Sequence, residues 1–143
     1  MTKNIKFSKY QGAGNDFVLI DNRTGIFDHA NVSLIKKLCD RRFGIGADGL
    51  MLLQDNKNYD FEMEYFNADG HEGTMCGNGG RCIVAFARDL GIIQEETDFM
   101  AVDGPHQAHI VSNQVNLEMI NVDKVEQDGP AFVLNTGSPH YVL

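Results

Sequence analysis

The stretch FEMEYFNADGHEGTMCGNGGRCIVAFARDL, residues 61–90, changes its period part-way along. Phe61, Met63 and Tyr65 alternate with Glu62 and Glu64, the two-residue repeat of a strand with one wet face. Further on, Ile83, Val84, Phe86, Ala87 and Leu90 share one face of a helix, and Gly91 ends it. Between the two lies residues 66–82, a run of glycines and polar side chains. A strand leads in, a helix leads out, and Cys76 falls just before the helix amino terminus.

The rest of the chain repeats this alternation. Ile5 and Phe7 begin a first strand, and Phe17, Val18, Leu19 and Ile20 form a second that Asp21-Asn22 closes. Asn31 caps a helix whose face carries Leu34, Ile35, Leu38 and Cys39, with Gly44 as its stop. Residues 50–53 read as a short buried strand, and residues 99–102, 106–111 and 115–119 as three more. Asp128-Gly129-Pro130 is a turn, Phe132, Val133 and Leu134 a strand, and residues 135–140 a polar loop. Tyr141, Val142 and Leu143 open another strand at which the sequence stops, so a truncated chain is expected. Strands punctuated by two helices predict an α+β fold.

Composition bounds the function. A hydrophobic fraction of 43% over 143 residues supports a buried core. The net charge of −8 and the lack of a basic run argue against a nucleic-acid partner. The apolar runs are too short to span a membrane, and the first ten residues lack the apolar centre of a secretory signal. Three cysteines, an odd number with no signal segment, point to reduced thiols in the cytoplasm. Cys76 and Cys82 lack a CxxC spacing and have no neighbouring His pair, so no metal is expected.

The placement of Cys76 decides what chemistry is available. First-turn amides have no partner inside a helix, and the macrodipole there is positive. A thiolate at that point is stabilised, which predicts a lowered pKa for Cys76. The amides of Gly77, Asn78 and Gly79 can hold a carboxylate, with Asn67 and Asn78 as neutral hydrogen-bonding groups. Such a pair suits proton transfer next to the carboxylate, or acyl transfer to sulfur. The competing reading is a glycine-rich loop with an inert buried Cys before an ordinary helix. A phosphate loop is disfavoured because the Gly-Lys-Ser/Thr ending is missing. Cys39 and Cys82 read as core, and His71, His106 and His109 as surface or sheet residues. Asp16 and Asp48 read as turn organisers, and Arg81 as a substrate contact or a structural ion pair.

These residues resemble the diaminopimelate epimerase family. Residues 9–17 (Lys-Tyr-Gln-Gly-Ala-Gly-Asn-Asp-Phe) look like its amino-terminal signature and residues 41–50 like its second motif. Asn67-Ala68-Asp69-Gly70 leads into Cys76 as in the family, and Thr136-Gly137-Ser138-Pro139-His140 is similar to a fourth motif. The resemblance implies two similar domains, each an antiparallel sheet wrapped around a long central helix, with substrate between them. Residues 1–118 would form the first domain and residues 119–143 the opening of the second. It further implies cofactor-independent interconversion of LL- and meso-diaminopimelate, on the route to lysine and peptidoglycan precursors.

By position, Asn15 and Asn67 would contact the distal end of the substrate, and Gly77 and Asn78 its reacting carboxylate. Cys76 would be one of two acid/base thiols, and His140 would help set thiol protonation. Gly49 stands where a substrate-contacting Gln can occur, and Ser138 where Asn is common. The second family thiol, in a Gly-Cys-Gly-Thr-like motif, does not follow Cys76, so the chain alone is not expected to complete turnover. Small-molecule substrate is the expected partner, with a homodimer left open. The alternatives are a same-fold racemase or isomerase of another amino acid (proline racemase, a phenazine-biosynthesis isomerase) and a non-catalytic ligand-binding fragment.

Overall fold

A computed structural model describes residues 4–143. Seven strands form one sheet in simple chain order. They are β1 (Ser8–Gly12), β2 (Asn15–Asp21), β3 (Gly49–Gln54), β4 (Phe61–Asn67), β5 (Glu96–Ala101), β6 (Gly104–Val111) and β7 (Gln114–Leu117). Helix α1 (Val32–Cys39) lies between β2 and β3 in sequence, and α2 (Gly77–Asp89) between β4 and β5. The α+β expectation is met.

The sheet is mostly antiparallel, but β2 pairs with β3 in parallel and β4 with β5 likewise. This corrects the expectation of an antiparallel sheet, and the cause is connectivity. A chain that re-enters a sheet in the same direction needs a long crossover, and each parallel join is the one that carries a helix. Where only a turn or loop intervenes, as from β1 to β2 or β6 to β7, the strands run antiparallel.

The two helices cover opposite faces. Phe17, Leu19, Met51 and Leu53 point into a cluster with Cys82, Ile83, Val84 and Phe86 of α2. Val18, Ile20, Leu50 and Leu52 point the other way, with Ile35 and Cys39 of α1. β2 and β3 are therefore buried on both faces, which is why they read as unbroken apolar runs. Helix α2 touches both edge strands, β1 and β7, so the sheet curls around it.

The start of α1 and the end of α2 follow the sequence closely. Asn31 caps α1 with its side-chain oxygen accepting from Leu34 N at 3.0 Å. Gly91, in the left-handed region at φ 75°, follows the last turn of α2, and its N–H donates to Arg88 O at 2.9 Å. Gly44 does not stop α1, which ends at Cys39 with Asp40 as its cap. Gly44 instead lies where the returning loop crosses the helix end; a Cβ there would lie 2.7 Å from Leu38 O. The first strand begins at Ser8, so Ile5 and Phe7 precede it.

A second, three-stranded antiparallel sheet is made of β8 (Val125–Asp128), β9 (Ala131–Asn135) and β10 (Pro139–Val142), in the order β10-β9-β8. The turn at residues 128–130 joins β8 to β9 as expected, whereas β8 itself had no pattern to betray it. All four of its residues are exposed, and only pairing with β9 makes it a strand. No described helix is long and apolar enough to cross a membrane.

Candidate active site

Three strands bring predicted site residues to one end of the large sheet. Asn15 opens β2, Gly49 opens β3 and Asn67 closes β4, with Phe17 opposite Gly49 and Gly49 opposite Asn67 in register. From Asn67 the chain turns through residues 68–75, tied back by Asn67 N–H to His71 O and Gly73 N–H to Tyr65 O, both 2.9 Å. It then enters α2 at Cys76.

Cys76 is the N-cap of α2, with extended backbone angles, and its Sγ accepts from Gly79 N–H at 3.5 Å. Gly80 N–H closes the first intrahelical bond to Cys76 O at 2.8 Å. Gly77 and Asn78 occupy the first turn, where a helix leaves its N–H groups without an internal acceptor. Cys76 is half-buried, whereas Cys39 and Cys82 are buried. Burial pushes both of those thiols up to about 11 from an ordinary 9.0. The sequence therefore placed Cys39 and Cys82 correctly in the core, and Cys76 alone among the three thiols reaches solvent.

Polar side chains surround this helix start. Asn78 Nδ2 donates to Asn15 Oδ1 at 2.6 Å, and Arg81 donates to Asn78 Oδ1. Asn15 Nδ2 in turn donates to Asp48 Oδ2 at 3.1 Å. Arg81 makes no ion pair among the described residues and instead binds a side chain of its own helix three residues back. That spacing places two residues on one helix face and was the signal available in the sequence. Asp16 and Asp48 organise the neighbouring turns as expected: Arg41 bonds both carboxylates, and with Lys9 it holds the Asp16 carboxyl well below its usual range.

Gly49 brings no side chain here. It is buried, and a Cβ would lie 2.6 Å from Phe66 O and 3.0 Å from the Tyr65 hydroxyl. The Tyr65 ring fills that space, packed edge-on against Phe17 at 6.0 Å. Ser138 reaches the site from the second sheet, its Oγ donating to Met75 O at 2.9 Å and pairing with the Thr74 hydroxyl. His140 is exposed on β10 and bonds Thr136 Oγ1 at 2.8 Å, within the loop that carries Ser138. The Thr74 pairing was not foreseen. His71 and His109 are exposed, while His106 is a buried sheet residue held between Asp103 and Glu118 O.

The chain that carries this half-buried, helix-capping thiol matches a known family over nearly its whole length. The family model described as diaminopimelate epimerase matches residues 7–142. The chain belongs to the diaminopimelate epimerase family. It is 57% identical over 139 residues to the diaminopimelate epimerase of Flavobacterium psychrophilum, covering 96% of this chain and 54% of that protein. It is 43% identical to the diaminopimelate epimerase of Chlorobaculum tepidum, covering 92% and 54%. The chain thus spans about half the length of these curated relatives.

Solved structures agree on the fold. The phenazine biosynthesis protein of Bacillus anthracis, PhzF family, superposes with a TM-score of 0.74 at 15% identity, over 98% of this chain and 55% of that one. A probable proline racemase from Agrobacterium radiobacter gives 0.66 at 14% identity, over 96% and 51%. At such identities the likeness speaks for the fold alone. The same-fold alternatives are structural neighbours, and the family assignment stays with the diaminopimelate epimerases.

Proposed function

We propose that this chain supplies one side of a site that interconverts LL- and meso-diaminopimelate by proton transfer at the α-carbon, with Cys76 as one of two acid/base thiols. The observation that carries the reading is the sharing of the α2 start. The Gly79 N–H points at the Cys76 sulfur, and the N–H groups of Gly77 and Asn78 remain for a substrate carboxylate. Negative charge on sulfur and on the carboxylate is stabilised by one helix end.

The chemistry follows from that geometry. Thiolate sulfur takes the α-hydrogen as a proton, and the electron pair left on carbon delocalises into the adjacent carboxylate. Amide donors aimed at the carboxylate oxygens stabilise the charge that develops there. Return of a proton to the opposite face inverts the centre, which requires a second acid across the substrate. Cys39 and Cys82 are buried and cannot serve. The second thiol is therefore not among these residues, and the chain by itself is not expected to complete turnover.

Asn15 and Asn67 are assigned to the distal end of the substrate, and Gly77 and Asn78 to the reacting carboxylate. Ser138 holds the Met75 carbonyl next to Cys76, and His140 acts on the thiol only through the 136–138 loop. Gly49 contributes by leaving room for Tyr65. Residues 1–118 form the first domain of this reading and residues 119–143 the start of a second. No cofactor is required, and the setting is cytoplasmic amino-acid biosynthesis.

The test is a nuclear magnetic resonance titration of the purified chain with meso-diaminopimelate and, separately, with proline. Diaminopimelate should shift the backbone amides of residues 76–79 at concentrations where proline leaves them unmoved. Equal response to proline would transfer the assignment to another amino acid, and no response to either would leave a fragment without this function.

A further inference from the structure

The row of hydrogen bonds beside Cys76 has a direction that its two ends dictate. A carboxamide is nearly symmetric in shape and can present oxygen or nitrogen to a given neighbour. A guanidinium only donates, and a carboxylate only accepts. From Arg81, the bonds run to Asn78 Oδ1, from Asn78 Nδ2 to Asn15 Oδ1 at 2.6 Å, and from Asn15 Nδ2 to Asp48 Oδ2 at 3.1 Å. Either end fixes the sense of the whole row: a donor at Arg81 turns Asn78, which turns Asn15, and an acceptor at Asp48 imposes the same order in reverse. Asp48 is itself held, its Oδ1 by Arg41 at 2.9 Å and its Oδ2 by Asp16 N–H at 3.2 Å.

The consequence is chemical. In this sense each carboxamide oxygen is engaged, and each side-chain nitrogen keeps one uncommitted N–H. We propose that Arg81 and Asp48 are positioning residues that lock the Asn15 and Asn78 carboxamides, so that both offer N–H donors to a carboxylate of the bound amino acid. With the carboxamides reversed, the same two residues would offer oxygens and favour an ammonium group. The inference rests on the substrate site proposed above, although the locked orientation itself exists without ligand.

Because either end suffices, the two residues must be coupled although a chain of two asparagines separates them. Residues without shared partners give additive effects, and this pair should not. Arg81→Met and Asp48→Asn should each weaken meso-diaminopimelate binding by about threefold, and the double variant by at least about thirtyfold, beyond the roughly tenfold product. Side-chain NH2 resonances of Asn15 and Asn78, recorded without ligand, should hold their positions in each single variant and move together in the double. A loss in the double equal to the product of the singles, with those resonances unmoved, would overturn the proposal. Backbone spectra establish that each variant is folded; where Arg81→Met is not, Arg81→Gln replaces it, since an amide can donate or accept. Failure of the unaltered chain to bind diaminopimelate would refute the substrate reading, while the ligand-free resonances would still decide the lock.

Discussion

Treating the folded chain with iodoacetamide at pH 8 should modify Cys76 long before the other two cysteines, and the margin can be worked out. The thiolate is the reacting species. For Cys39 and Cys82, with thiols near 11, the ionised fraction at pH 8 is about one in a thousand, against roughly one in ten for an ordinary thiol at 9.0. Ionisation alone therefore slows both by about a hundredfold. Access slows them further, because Cys39 is 3% exposed and Cys82 4%, so reagent reaches them only when the core opens. Cys76 is half-buried, so the limit on access does not apply to it in that degree. Timed quenching, digestion and mass spectrometry of the three cysteine peptides would give the rates, and repetition in urea should bring them together. Comparable rates for all three in the folded chain would refute the reasoning, since Cys76 would then hold no privileged place.

Two further outcomes follow from burial and packing. Gly49→Ala forces a methyl against Phe66 O and the Tyr65 ring in the middle of the sheet, where the β3–β4 ladder prevents retreat, and should cost about 1–3 kcal/mol in urea unfolding; a variant as stable as the parent would show that Tyr65 does not close that position. Stability should also fall as pH rises from 9 towards 11, because the unfolded chain then releases thiol protons that folded Cys39 and Cys82 retain, about 3 kcal/mol for each at most and nothing below pH 9. Cys39→Ala should flatten that decline, and an unchanged slope would remove burial as its cause.

The fold was legible wherever burial imposes a period. Asn31 as a cap, Gly91 as a stop and the alternation of Phe61, Met63 and Tyr65 each reflect a local rule that tertiary structure did not override. The parallel joins went against the antiparallel sheet that the resemblance implied, although the helix between each pair and the unbroken apolar runs of β2 and β3 were signals for them. β8 escaped because Val125, Glu126, Gln127 and Asp128 bury nothing, and a strand without a buried face has no pattern. Gly44 misled because glycine marks close approach as well as helix ends, and here it marks the approach.

At the site, the sequence showed which residues gather but not how their hydrogen bonds are apportioned. Cys76, Gly77 and Asn78 are consecutive, so their shared helix start could be read directly, whereas Asp48 joins them only through β2 and β3 lying side by side. That apportioning matters for the chemistry. A helix start has few free amides, and a thiolate and a carboxylate placed there compete for them and repel each other. In the proposed site the donors would be divided: Gly79 N–H serves the sulfur and Gly80 N–H closes the helix, which would leave the Gly77 and Asn78 N–H groups for an acid's two oxygens. On that proposal Asn78 at the reacting end and Asn15 at the distal end would add donors without adding charge, so the acid would be held while the thiol keeps its capacity to take a proton. A lysine in place of either asparagine would bind the acid more strongly in the ground state. It would also stabilise the thiolate so far that the sulfur became a poorer base, which is a physical reason for neutral donors at both positions.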